Sequence, residues 1–147
     1  MILMYHKVHP DAPTKWWVTP DQFYRQMLEL KGYDVVYLDD YDPADAGKAV
    51  ITFDGIYKNV LQFAAPILSR FNYPFELFIT SDQLNGDNAF DSVEPEAHFV
   101  SIEECQELIL FGGRLQWHTR SHANLKDVFA LDEIQRELEI PEEIQAV

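Results

Sequence analysis

Arg114-Leu115-Gln116-Trp117-His118-Thr119-Arg120-Ser121-His122 is the stretch that decides the reading of this chain. Its first four residues read as a short strand, launched from Gly112-Gly113. The last five carry two imidazoles four positions apart. That spacing closes on one metal ion, either across a turn of helix or along a tight loop. Side chains just past the carboxyl end of a strand stand where alternating β/α folds keep their chemistry. A metalloprotease of the His-Glu-x-x-His kind needs Glu beside the first His as its base. Thr119 is there instead, which argues against that class.

Working outward, apolar runs alternate with helical patterns. Strands are expected at Ile2 to Tyr5, Tyr33 to Leu38, Lys48 to Phe53 and Phe75 to Ile79, besides Arg114 to Trp117. Thr19-Pro20-Asp21-Gln22 predicts a helix start, with a Thr N-cap, Pro in the first turn and Gln at the capping-box position. Phe23, Met27 and Leu30 then recur at helical spacing until Gly32. Val60, Phe63, Ala64, Ile67 and Phe71 form another helical face, in which Pro66 predicts a kink or a later start. Ser101-Ile102-Glu103-Glu104 is a second capping box, and Leu131 to Leu138 a last helix. Ser81 to Val100 is a long polar loop, long enough for a lid or rim insertion. The expected class is α/β, with a parallel sheet and right-handed crossovers. Five strands suffice for an open sheet or part of a barrel, not for a closed eight-stranded one.

The chain of 147 residues reads as a single domain over 1–147, long enough for a real core. A net charge of −14 argues against nucleic acid and anionic membranes, which select clustered Lys and Arg. No apolar run approaches membrane-spanning length, and Met1-Ile2-Leu3-Met4 is too short for a signal peptide. A cytoplasmic location, or a trimmed piece of an exported protein, is expected. The single Cys105 forms no internal disulfide and reads as a small core residue rather than a nucleophile.

Asp54 ends the Lys48 strand. Such an Asp serves as a helix N-cap, a metal ligand or a general base. Two His and one carboxylate around zinc leave a position open for water, whose pKa the ion lowers.

These residues carry a family resemblance. The opening Ile2-Leu3-Met4-Tyr5-His6-Lys7-Val8 resembles the start of deacetylases that act on poly-N-acetylglucosamine. Thr52-Phe53-Asp54-Gly55-Ile56-Tyr57-Lys58-Asn59 resembles their Thr-Phe-Asp-Asp-Gly motif, and His118 to His122 their His-Ser/Thr-x-x-x-His motif. The chain thus resembles the polysaccharide deacetylases, the NodB-homology group or carbohydrate esterase family 4, from residue 2 to about 138. The resemblance implies a distorted or partial (β/α) barrel that hydrolyses acetyl groups of an N-acetylated glycan with a divalent metal. By position, His118 and His122 are then metal ligands and Asp54 the base, while the third ligand falls on Gly55. A one-residue shift instead makes Asp54 the ligand and removes the base. Either way one carboxylate is missing.

The family's later motifs supply an orienting Arg, an aromatic groove wall and a His acid. Nothing after His122 matches them, so a C-terminally shortened domain is expected. His6 and Trp117 are the candidate substrate contacts. The alternatives are a catalytically impaired glycan-binding homologue, or the N-terminal part of a larger or oligomeric enzyme. An exposed sheet edge points to self-association.

Overall fold

Residues 1–147 are described by a computed structural model. Strand β1 (Ile2–Tyr5) opens the chain, followed by the two-residue strands β2 (Lys7–Val8) and β3 (Trp17–Val18). Helix α1 (Pro20–Glu29) starts at the expected capping box: the Thr19 hydroxyl accepts from Gln22 N, and Gln22 Oε1 accepts from Thr19 N. The strand expected over Tyr33 to Leu38 shrinks to β4 (Asp34–Val35), and a single 3₁₀ turn follows at Leu38–Asp40. The chain turns there because Leu38 N donates to the buried Glu76 carboxylate instead of a neighbouring strand.

Strand β5 (Lys48–Asp54) is the long central strand and includes Asp54. After it the chain forms a π turn at Val60–Ala64 and then helix α2 (Ala65–Phe71). Pro66 lies inside a continuous helical run over 58–71, just past the π turn, and cannot donate the backbone bond expected there. The wide turn before it is how the chain accommodates the proline. Strand β6 (Phe75–Ile79) and helix α3 (Ile102–Leu110) follow, and α3 is capped by the Ser101–Glu104 box. Strand β7 (Gly113–Trp117), helix α4 (Leu131–Leu138) and the short α5 (Glu142–Gln145) complete the chain. Gly113 allows the tight return from α3, since a Cβ there would sit 2.7 Å from Leu77 Cδ1 and 2.8 Å from the Leu108 carbonyl.

The sheet is parallel, in the order β1-β5-β6-β7, with β4 paired to the start of β5. Its register aligns Tyr5, Phe53, Leu77 and Leu115 in one row. Those side chains share a face with Ile51, Phe75 and Ile79, and this face packs with Phe23 and Met27 of α1, Leu68 of α2 and Leu108 of α3. Cys105 belongs to that core, and burial pushes its thiol up to about 12, so it is inert at neutral pH. The opposite face carries Asp54, Glu76, Arg114 and Gln116, by the alternation of strand side chains. No helix is long and apolar enough to cross a membrane.

Candidate functional site

Because the strands are parallel and in register, their carboxyl ends form one edge. His6 follows β1, Asp54 ends β5, Thr80 follows β6 and His118 follows β7. A cleft of about 210 Å³ opens at this edge and is lined by His6, Asp54, Gly55 and His122, among others. The ring of His118 lies 5.1 Å from that of His122, and it meets Phe78 edge-on at 6.0 Å. His6 feels both Asp54 and His118 electrostatically. Burial is the larger influence on it and holds the imidazole below its ordinary value, so His6 is neutral near pH 7.

Three of the five sequence-derived site residues, His6, Asp54 and His122, therefore line one cleft, and His118 stands beside them against the His122 ring. Trp117 does not join them. It is two residues from Leu115 on the same strand, so it shares the core face, where it packs against the main apolar cluster. Its indole N–H donates to the Glu137 carbonyl at 3.1 Å, away from the cleft. The aromatic walls are Trp16, which meets His6 edge-on at 5.0 Å, and Phe90, 6.1 Å from the His122 ring. Phe90 belongs to the Ser81–Val100 loop, whose length marked it as a rim; nothing in the sequence singled out Phe90 itself.

The loop from 118 to 122 is held under local strain. Thr119 and His122 have φ of 66° and 64°, a region that residues with side chains rarely adopt. Glu137 of α4 fixes it: its buried carboxylate accepts from Ser121 N at 2.9 Å and Ser121 Oγ at 2.7 Å, and its carbonyl from Arg120 N. Burial raises the Glu137 carboxyl, but the bonds from Ser121 outweigh that and hold it below the ordinary range. From the other side, Asp82 N donates to the Arg120 carbonyl and Asp82 pairs with the Arg120 guanidinium at 3.3 Å.

The donor set can be tested against a metal. Two imidazole nitrogens at about 2.1 Å from one tetrahedral ion put the ring centres about 5 Å apart. The observed 5.1 Å fits. Gly55 supplies no third ligand. It has φ +70°, and a Cβ there would lie 3.1 Å from the Tyr57 ring and 3.3 Å from Phe99, so the position is built for glycine. The one group of three metal-binding side chains within 4.8 Å of one another is Asp87, Glu96 and His98. It lies outside the cleft, with Glu96 and His98 exposed, and Asp54 and the two imidazoles are more widely spread.

No protein-family profile matches the sequence, and no curated protein matches it. Solved structures do. IcaB from Ammonifex degensii superposes with a TM-score of 0.68 at 22% identity, over 80% of this chain and 52% of that one. The Streptococcus pyogenes deacetylase PplD, solved with acetate, gives 0.70 at 22%, over 92% and 62%. A polysaccharide deacetylase from Bacillus cereus gives 0.70 at 20%, over 99% and 53%. The architecture is therefore α/β with a largely parallel sheet, in the fold of the NodB-type polysaccharide deacetylases. The chain spans 52–62% of the length of these three solved chains.

Proposed function

We propose that this chain is a carbohydrate deacetylase of divergent form, which hydrolyses acetyl groups of an N-acetylated polysaccharide. The observation that carries the reading is the meeting of His6, Asp54 and the His118–His122 pair at the carboxyl edge of a deacetylase-type sheet. His118 and His122 would hold a divalent ion, zinc being the one their imidazoles suit. When bound, such an ion polarises a carbonyl and acidifies water. Asp54 lines the cleft as the carboxylate that takes the proton of the attacking water. The water oxygen joins the acetamide carbon, the C–N bond breaks, and the proton held by Asp54 passes to the leaving nitrogen. Acetate and a free amine result. His6, neutral, offers one N–H donor to a substrate oxygen.

A second reading is favoured by Gly55: a homologue that binds glycan with impaired turnover, since one carboxylate of the motif is absent. The two part on one experiment, acetate release from tetra-N-acetylchitotetraose with added zinc. The first reading expects release that Asp54→Asn abolishes. Binding of the oligosaccharide with no acetate above the blank supports the second. We further infer self-association, because Ile2 and Met4 of β1 are 52% and 57% exposed on the sheet face turned from the helices.

A further inference from the structure

The cleft holds a cation to which the mechanism above gives no task. Lys7 opens β2, and its side chain is only 4% accessible, yet it lines the cleft. Burying an ammonium is costly unless its charge is met and its N–H groups have acceptors. The charge is met. The Glu94 carboxylate is 3.8 Å away, and the rings of Tyr57 and Trp17 lie at 4.5 and 5.1 Å.

The N–H groups are not. A separation of 3.8 Å is too long for a hydrogen bond. Glu94 cannot come closer without loss, because the same oxygen, Oε2, already accepts from Trp17 Nε1 at 2.8 Å and Thr14 Oγ1 at 3.0 Å. No side-chain nitrogen or oxygen cut off from solvent lacks a partner, so the Lys7 ammonium keeps access to the cleft. Its unspent donors face that space.

The surroundings define what they would meet. Asp54, Asp91 and Glu94 line the same cleft and repel an anion. Trp16 and Phe90, 42% and 57% exposed, offer two flat apolar walls. A neutral ligand with many oxygens and an apolar face, such as a sugar ring, satisfies both.

We propose that Lys7 is a substrate-binding residue, donating a hydrogen bond from its ammonium to a hydroxyl or carbonyl oxygen of a neutral sugar unit seated against Trp16 and Phe90. This rests on the glycan reading above. Glu94 acts through it as a positioning residue. It fastens the Phe90 loop to Thr14, Trp17 and Lys7, while the buried Asn88 braces that loop internally by bonds with Pro95 and Ala97.

Calorimetric titration with tetra-N-acetylchitotetraose tests the proposal on the wild type, Lys7→Met, Phe90→Ala and Lys126→Met, the last at an exposed surface lysine. Loss of a charged donor's bond predicts about tenfold weaker binding for Lys7→Met, with Lys126→Met unchanged. Wild-type affinity in Lys7→Met, with Phe90→Ala weakened, overturns the role of Lys7 and leaves the glycan reading standing. No binding by the wild type overturns both. Should Lys7→Met fail to fold, the unsubstituted protein labelled at lysine Cε answers by NMR. The Lys7 signal is expected to move during the titration; a fixed Lys7 signal beside moving tryptophan indole signals overturns the proposal.

Discussion

Thr119 and His122 keep their positive φ because Glu137 holds the backbone between them through Ser121. Hydrogen bonds to a buried carboxylate are worth more than neutral ones, about 1.5–3 kcal/mol each. Glu137→Gln keeps an acceptor and the shape but loses the charge. It is expected to lower stability by about 1–2 kcal/mol and to weaken zinc binding, measured by denaturant unfolding and metal titration. Gly55→Asp, which would rewrite the missing carboxylate, is expected to cost about 1–2 kcal/mol of stability through backbone strain and to leave acetate release no higher than in the wild type. At this scale the placement of Asp54 and His118 at the carboxyl ends of their strands was legible, since each closes a strand read from the sequence. Trp117 was misplaced on adjacency to His118. The alternation of strand side chains, readable from Leu115, puts it on the core face. Glu137, Lys7 and Phe90 carry no local pattern, because their partners are brought to them only by the fold.

Among the elements, those with chemical punctuation were legible. Both capping boxes form as read, at Thr19 and Ser101. Ser101→Ala is expected to destabilise the protein by about 1 kcal/mol in urea unfolding, the usual worth of an N-cap. The two-residue strands β2 and β3 gave no signal, because a pair of residues has no period. Strand β4 was overestimated because Val35 and Val36 suit a strand locally, while Glu76 captures Leu38 N.

Glu76 also ties the strands together on the sheet's polar face. It is fully buried and accepts from Arg114 Nε and Nη2, Gln116 Nε2 and Leu38 N. Burial raises its carboxyl, but the bonds from Arg114, Leu38 and Gln116 prevail and hold it below the ordinary value. A carboxyl lowered in the fold stabilises above its unfolded pKa of about 4.3 and loses that contribution as pH falls further. Unfolding free energy is therefore expected to drop on acidification below about pH 5, and less steeply in Glu76→Gln, as pH-dependent denaturant unfolding checks.

On the whole molecule, the parallel α/β order was legible from the alternation of apolar runs, and the sheet bears it out. The cleft was not, because its walls come from Trp16 near one end and Phe90 in a remote loop. The proposed self-association would bury the exposed Ile2 and Met4 of the open sheet face. Replacing both by Ser is expected to shift light scattering towards the monomer, against a −14 charge that opposes aggregation at low salt.

The proposed function requires His118 and His122 to act as a metal pair at the sheet's carboxyl edge. Zinc retained per chain after dialysis tests it most directly, with His98→Ala as background to remove the separate group of Asp87, Glu96 and His98. The prediction is about one zinc per chain, lost when His118→Ala is added. Equal zinc content with and without His118 would overturn the metal role of the pair.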